Sequence, residues 1–570
     1  MTETIYKSLI DLPPYESNLA SIIKINSAKF KNSPILQDIQ DGVVHKLIWD
    51  QFYLNVCIIQ GFLHSIGFET GDRMAILSPN RREMLMTELA IMSMGGIAVP
   101  IFAGYGSEIA NTLIEFCEAD YLIVADEFQY LKVVNPEKFK QIIYFDSIDN
   151  HSKNCITLNE ILQGHPPQKI HGLNIDSKSV CLMMYTSGTM GKPKCVQLTH
   201  DNILSQQAAM KALWQIKSSD RFLSYLPWHH SFGGIYEKYA AICNGAVLSL
   251  ESGFGKNIDT LIENWKLIKP TVFFSVPRIY QAIATQLRQH PELDSEIFHD
   301  ELRFIFTAAA PLPKNISDMF ESRNIPVYEG WGLTETSPCC TVTDPNVKRQ
   351  MGVVGKPIPG ISLKLSDEGE ILVRGPNVMT GYYNNVEETM KVLPDDGWFY
   401  TGDIGEYTET GLKLISRKDR IFKLTNAEKV VPTEIENLLS KDCAYLSHSL
   451  VSGSGQDYPV VLLFPDSNMF AHQPDKSQIA NDCKRPVNLT EFFHCLKTCM
   501  NRWNESIDAK YSRIKKGILI DYELTIENDE LTPSMKLAPN VVTKVFKAQI
   551  EQLYNSEDMI TEKVYVLNLE

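Results

Sequence analysis

The sequence predicts an α/β protein. A large N-terminal body of two mostly parallel sheets carries a small β-barrel or sheet, and a smaller α+β unit follows. Three observations carry this prediction. Over the first two-thirds of the 570 residues, short continuous apolar runs alternate with amphipathic helical stretches, as in strands buried on both faces. From about residue 352 to 415 the strand-like runs become closely spaced and turn-rich. After Arg417 the texture changes again, which places a boundary between residues 1–417 and 418–570.

The first strand of the body is Arg73-Met74-Ala75-Ile76-Leu77, after the turn Gly71-Asp72, and a helical stretch runs on through Met92. The most apolar segment, 89–103, is shorter than the ~20 residues a membrane helix needs. Gly95, Gly96 and Pro100 interrupt it, so it reads as helix, glycine turn and buried strand. Further strands are expected at 121–125, 142–145, 271–276 and 302–307. The turn-rich region holds strands at 362–365 and 369–375. Beyond the boundary come a helix from about Pro432, strands near Leu450 and Val460, a polar insertion at 472–486 that reads as a surface loop, and a helix after Pro539.

With 44% hydrophobic and 22% charged residues, the composition is that of a folded protein with a large core. The formal net charge of -15 repels nucleic-acid phosphates and anionic lipid. Nucleic-acid binding is not expected, membrane contact is peripheral at most, and any polyphosphate pocket must be local. The twelve Cys include no CxxC pair. Cys495 and Cys499, beside His494, have one-turn helical spacing and read as buried thiols rather than a metal site. Scattered thiols fit a reducing compartment. Residues 1–14 have no apolar stretch of the signal-peptide type, so a cytoplasmic location is expected.

The most informative string is Met183-Met184-Tyr185-Thr186-Ser187-Gly188-Thr189-Met190-Gly191-Lys192-Pro193-Lys194. An apolar run feeds a loop of hydroxyls and glycines that ends in lysines. Glycines let backbone N–H groups converge as an anion nest, hydroxyls donate to phosphate oxygens, and a lysine adds a point charge. The spacing differs from the GxxxxGK[ST] loop. Four further strings follow in order. Thr307-Ala308-Ala309-Ala310-Pro311-Leu312 puts small residues at a strand end, where a flat ring can lie against backbone. Tyr328-Glu329-Gly330-Trp331-Gly332-Leu333-Thr334-Glu335 offers close backbone approach, a flat wall, a hydroxyl and a hard oxygen ligand suited to Mg²⁺. Tyr400-Thr401-Gly402-Asp403 and Ser416-Arg417-Lys418-Asp419-Arg420 come next. Last is Leu531-Thr532-Pro533-Ser534-Met535-Lys536.

Taken together and in this order, the strings resemble the AMP-forming acyl-adenylate family, which includes acyl-CoA synthetases, peptide-synthetase adenylation domains and beetle luciferases. Ser275-Val276-Pro277-Arg278-Ile279-Tyr280 and Gly381-Tyr382-Tyr383 look most like its long-chain fatty acyl-CoA synthetases. The resemblance implies an adenylation domain (1–417) and a mobile C-terminal lid (418–570), with ATP, Mg²⁺ and coenzyme A as cofactors or co-substrates. It implies that Thr186, Ser187, Gly188 and Thr189 wrap the phosphates, with Lys194 as the loop lysine. Ala309, Ala310 and Pro311 would line the adenine pocket, together with Glu329, Gly330, Trp331 and Gly332. Thr334 would meet the α-phosphate, Thr186 and Glu335 would hold Mg²⁺, and Asp403 and Arg417 would hold the ribose. Asp419 would be the hinge and Lys536 the catalytic lysine. Leu226-Pro227-Trp228-His229-His230-Ser231-Phe232-Gly233 matches the segment near the acyl pocket, with His230 at the family's histidine position. The expected reaction activates a medium- or long-chain fatty acid as acyl-AMP and transfers it to coenzyme A. The alternatives are loading of an acyl carrier protein and a degenerate nucleotide-binding regulator. Three positions depart from the family pattern: Cys195 and Ala427, where glycine is usual, and Ala538-Pro539, where basic residues are common.

Overall fold

The computed structural model describes residues 4–149, 152–168, 172–186, 194–350, 352–466, 468–471, 483–526, 528–532, 536–555 and 564–569. Of the insertion expected at 472–486, residues 472–482 lie outside the described residues.

Two large sheets form the body. The eight-stranded sheet runs in the spatial order Gly381–Tyr382, Lys194–Thr199, Val180–Thr186, Ile97–Ile101, Arg73–Leu77, Tyr121–Val124, Gln141–Tyr144, Cys155–Thr157. From Val180–Thr186 to its far edge every pairing is parallel. The nine-stranded sheet is parallel through its centre, where Phe304–Thr307 lies between Val272–Ser275 and Val327–Trp331. Its central strands Val272–Ser275 and Phe304–Thr307 are buried along their whole length, as strands covered on both faces must be. The two sheets share one apolar core. In it Trp214, Tyr236, Phe274 and Phe306 pack with ring centroids 5.1–6.0 Å apart.

The turn-rich region folds as a five-stranded antiparallel sheet in the order Tyr6–Lys7, Ser362–Leu365, Glu370–Arg374, Phe399–Thr408, Gly411–Arg417. After Arg417, a four-stranded sheet runs Leu446–Ser452, Val460–Pro465, Lys516–Ile520, Val564–Asn568. Along Val460–Pro465, side chains alternate between two cores. Val461 and Leu463 face one, while Val460, Leu462 and Phe464 face the other, the period-two alternation of a strand. The helix expected after Pro539 is two helices, Pro539–Val545 and Lys547–Asn555, and the closing strand Val564–Asn568 was not among the sequence expectations.

Three of the strings singled out in the sequence begin where strands of the two large sheets end, while the string 400–403 lies within the antiparallel sheet. Val180–Thr186 runs into the glycine loop, Phe304–Thr307 into Ala308–Pro311, and Val327–Trp331 into Gly332–Glu335. Open α/β sheets bind ligands beyond the carboxyl ends of their strands.

Candidate active site

Ser187, Gly188 and Thr189 lie outside the described residues. The two ends of their loop are described. Thr186 and Lys194 are Cα partners across an antiparallel hairpin, so the chain leaves and re-enters the sheet at one point. Lys194 Nζ is 3.1 Å from a Glu388 carboxylate oxygen and 5.3 Å from the centre of the Tyr382 ring. Cys195 is fully buried in the apolar cluster on the outer face of the eight-stranded sheet. Its side chain therefore belongs to the core and not to the loop.

The string 328–335 is locked from behind. A Cβ on Gly332 would stand 1.7 Å from the Pro338 carbonyl oxygen, so only glycine allows the segment to double back here. Thr336 Oγ1 donates to Pro338 O at 3.0 Å and accepts from Leu333 N–H at 2.9 Å. The Asn377 amide donates to Thr336 O at 2.8 Å, and Met379 N–H donates to Glu335 O at 2.9 Å. Glu335 is thus fixed by its own backbone. One of its carboxylate oxygens accepts a hydrogen bond from the Tyr382 hydroxyl at 2.8 Å. Burial, then the negative charge of Glu335, raises the Tyr382 pKa, so the phenol stays a donor. Thr334 Oγ1 lies 3.2 Å from Ser231 Oγ, which joins this string to the His230 segment.

On the ribose side, Asp403 takes hydrogen bonds from Trp331 Nε1 at 2.8 Å and from the Arg417 guanidinium at 3.1 Å. Asp403 and Arg417 are Cα partners in the five-stranded sheet. Gly402 has φ +72°, a left-handed conformation that suits glycine, and an added Cβ there would lie 3.2 Å from the guanidinium. Burial raises the Asp403 pKa, while Arg417 and Trp331 oppose that shift and favour the anion. Arg417 also reaches the hinge candidate Asp419 at 3.5 Å. Gly330 and Trp331 are buried. Ala309 is half-buried with φ +77°, and Ala310 and Pro311 are exposed at the strand end. The Glu329 carboxylate is held by Arg349.

A cavity is lined by Phe102, Tyr105, Tyr185, Thr186, His230 and Thr532, so both units contribute to its wall. Thr532 N–H donates to Lys536 O at 2.8 Å, and Lys536 N–H donates to Thr532 Oγ1 at 3.1 Å, which ties Lys536 to Thr532. Lys536 has exposed surface, yet its ammonium stands deep enough among protein atoms to lower its pKa. Arg417 adds to that shift and Asp403 opposes it. Burial, reinforced by Lys536, lowers the His230 pKa to about 4, so its imidazole is neutral at pH 7. Phe232 N–H donates to His230 Nδ1 at 3.3 Å, which leaves the proton on Nε2.

The structure thus brings the loop ends, Glu335, Trp331, Thr334, Asp403, Arg417, His230 and Lys536 around one cleft. Four supporting residues escaped the sequence reading as site residues: Tyr382, Glu388, Asn377 and Arg349. Only Tyr382 carried a local signal, the glycine-aromatic run 381–383.

A family profile described as AMP-binding enzyme matches residues 24–383, and one described as AMP-binding enzyme C-terminal domain matches residues 419–558. Long chain acyl-CoA synthetase 3 of Arabidopsis thaliana is 26% identical, the alignment covering 95% of this chain and 93% of that protein. Long-chain-fatty-acid–CoA ligase 5 of Mus musculus is 27% identical, with 88% and 83% covered. Among solved structures, the anthranilate CoA ligase AuaEII in complex with anthranoyl-AMP superposes with a TM-score of 0.76 at 21% identity, covering 95% of this chain and 99% of that one. ATP-bound MatB from Rhodopseudomonas palustris gives 0.74 at 21% identity, covering 93% and 99%. At such identity the structural likeness speaks for the fold.

Proposed function

The chain belongs to the AMP-binding enzymes, adenylate-forming ligases that use ATP, Mg²⁺ and coenzyme A, and on that premise we propose that it activates a medium- or long-chain fatty acid. The acid would be joined to AMP with loss of pyrophosphate, and the acyl group would then pass to the coenzyme A thiol. The observation that carries this reading is the convergence of Lys194, Glu335, Asp403, Arg417 and Lys536 on one cleft. The long-chain fatty acids named for the curated relatives support the choice of acid.

Two anions must meet in the first step. Unit charges ~4 Å apart repel by about 4 kcal/mol at an effective dielectric of 20. Lys194 would take charge from the departing pyrophosphate, and Lys536 would bridge the attacking carboxylate and the α-phosphate. Glu335 and the Thr186 hydroxyl are the hard oxygen donors that suit Mg²⁺, which would neutralise further phosphate charge. Trp331 would wall the nucleotide, and Asp403 with Arg417 would hold the ribose diol. His230, neutral and with its proton on Nε2, would donate a hydrogen bond toward the substrate. This is catalysis by positioning and electrostatic stabilisation. It needs no nucleophilic side chain. The unit after Arg417, turning about Asp419, would withdraw Lys536 before the thiol attacks.

The test is ATP-dependent pyrophosphate release over a panel of carboxylic acids, with AMP release then measured with coenzyme A and with an acyl carrier protein. Fatty acids of medium or long chain should give the highest kcat/KM, and coenzyme A should be the better acceptor. A preference for aryl or short dicarboxylic acids would overturn the proposed substrate, and turnover with carrier protein alone would overturn the acceptor.

A further inference from the structure

Asn80 sits in the turn between the strand Arg73–Leu77 and the helix Arg82–Ser93, and it is 9% exposed. From this corner of the eight-stranded sheet its side chain reaches the chain that leaves the strand Arg221–Ser224 of the nine-stranded one. Asn80 Nδ2 donates to the Leu226 carbonyl oxygen at 2.8 Å, and Oδ1 accepts from the Trp228 N–H at 2.9 Å. A carboxamide carries donor and acceptor side by side, so it pairs with this stretch as a neighbouring strand would. Leu226 and Trp228 are buried, where backbone groups need such partners.

The grip extends to His230. Its N–H donates to the Pro227 carbonyl oxygen, inside the clamped stretch, at 3.1 Å, and its own carbonyl oxygen accepts from Gly234 N–H at 2.7 Å. The helical stretch Phe232–Glu237 closes down on the same residues. A Cβ on Gly233 would lie 2.5 Å from the Leu226 oxygen, and one on Gly234 would lie 2.0 Å from the Trp228 oxygen. Lys238, ion-paired with Glu88 at 2.5 Å, stands 5.2 Å from the centre of the Trp228 ring. The turn that carries Asn80 is itself anchored. Arg81 makes two bonds of 2.9 Å to Asp146, and Arg82 Nε donates to Asp38 at 2.7 Å.

We propose that Asn80 is the positioning residue for His230: its amide fixes residues 226–228 and, through them, the place of the imidazole on the cavity wall. This rests on the proposed activation of a carboxylic acid, in which His230 meets the acid and Asn80 touches neither acid nor nucleotide. Lys194, Glu335, Asp403 and Arg417 stand on other elements. Loss of the clamp should therefore weaken use of the acid and spare use of ATP.

Asn80→Ala removes both bonds. Hydrogen exchange, followed by mass spectrometry on the full chain, should become about tenfold faster in peptides covering 226–234, with the strands of both sheets unchanged. In acid-dependent pyrophosphate exchange, kcat/KM for the acid should fall about 100-fold, as when a group at the reacting centre is misplaced by ~1 Å, while KM for ATP stays within about threefold. A merely structural loss would lower the active fraction, and so kcat, with both KM values kept. Added to His230→Ala, Asn80→Ala should cost less than about threefold more, because residues that act as a unit are not additive. Asn80→Asp keeps the size and the acceptor for Trp228 but not the donor to Leu226. It should move both readouts the same way, and it decides the matter if the alanine variant does not fold. Unchanged exchange at 226–234, or the same fold-loss with and without the His230 side chain, would overturn the proposal. Faster exchange there, in a protein whose wild type releases pyrophosphate with no acid, would uphold the clamp and overturn the proposed function.

Discussion

On the body side of the cleft, Asp403, Glu335 and Lys194, which would meet the nucleotide and its metal on the proposed reading, are already tied to other side chains. Trp331 and Arg417 hold Asp403, Tyr382 holds Glu335, and Glu388 holds Lys194. On the other side, Lys536 is held by contacts near in sequence, the Leu531–Leu537 bridge and the two Thr532 hydrogen bonds. Among the described residues, the polar links between the units include Lys418 to Glu370 at 2.8 Å and Ser416 to Thr433 at 3.0 Å, and Tyr105 lies close enough to Asp529 for that charge to add to the burial that raises its phenol to about 12. Polar contacts of this kind are each worth little and break readily. On the proposed reading the body would be a preorganised binding surface, and the C-terminal unit would deliver one charge that can be withdrawn.

That contrast can be broken from the body side. Glu335→Gln keeps the shape and the Tyr382 contact but removes the charge. Pyrophosphate exchange should fall about 100- to 1,000-fold, as when one preorganised electrostatic group is lost from a site; an effect under threefold would remove Glu335 from the machinery. Tyr382→Phe deletes only the hydroxyl that orients Glu335. A lost hydrogen bond to a charged group is worth about 1.5–3 kcal/mol, so the Mg²⁺ midpoint for exchange should rise about tenfold or more. The kcat at saturating Mg²⁺ should change far less, and an unchanged midpoint would contradict the bracing role.

Stability separates the two units as well. His200 in the body is fully buried, and burial lowers its pKa to about 4. Below pH 6.5 the unfolded chain takes up this proton and the folded chain does not. Stability is therefore lost as pH falls from 6.5 toward 4, by about 1.4 kcal/mol per pH unit for one such group. Denaturant melts at pH 7 and pH 5 should show the loss, and His200→Gln should flatten the slope. In the C-terminal unit, Ala427 sits at φ +65°, where the resembled family has glycine. A left-handed L-residue costs about 1–2 kcal/mol, partly offset by the entropy of the glycine that would replace it. Ala427→Gly should stabilise this unit by about 1 kcal/mol; a lower melting point would refute the strain.

How much of this was legible in the sequence depended on distance along the chain. The strings 183–194, 328–335 and 400–403 announce themselves because glycines, hydroxyls and charges sit side by side. The bracing contacts do not. Tyr382 and Glu335 are 47 residues apart, and Glu388 meets Lys194 from the helix Val386–Val392, far along the chain, so no local pattern links them. The sequence displays the departure at Ala427, but only the backbone angle shows why glycine is favoured there. Similarly, Cys495 and Cys499 are visible as a helical pair, whereas the approach of Cys483 and Cys443 follows from tertiary packing. The strand Val564–Asn568 is a short edge whose pairing with Lys516–Ile520 spans a long separation, which periodicity does not encode.

The most direct measurement of this division of labour compares the two half-reactions in Lys536→Ala. Adenylation, followed as pyrophosphate exchange into ATP, should drop by about 1,000-fold or more, while thioester formation from supplied acyl-adenylate and coenzyme A should stay within a few-fold of the native rate. Exchange at near the native rate, or equal loss in both halves, would contradict an account in which the C-terminal unit brings its lysine for the first step and removes it for the second.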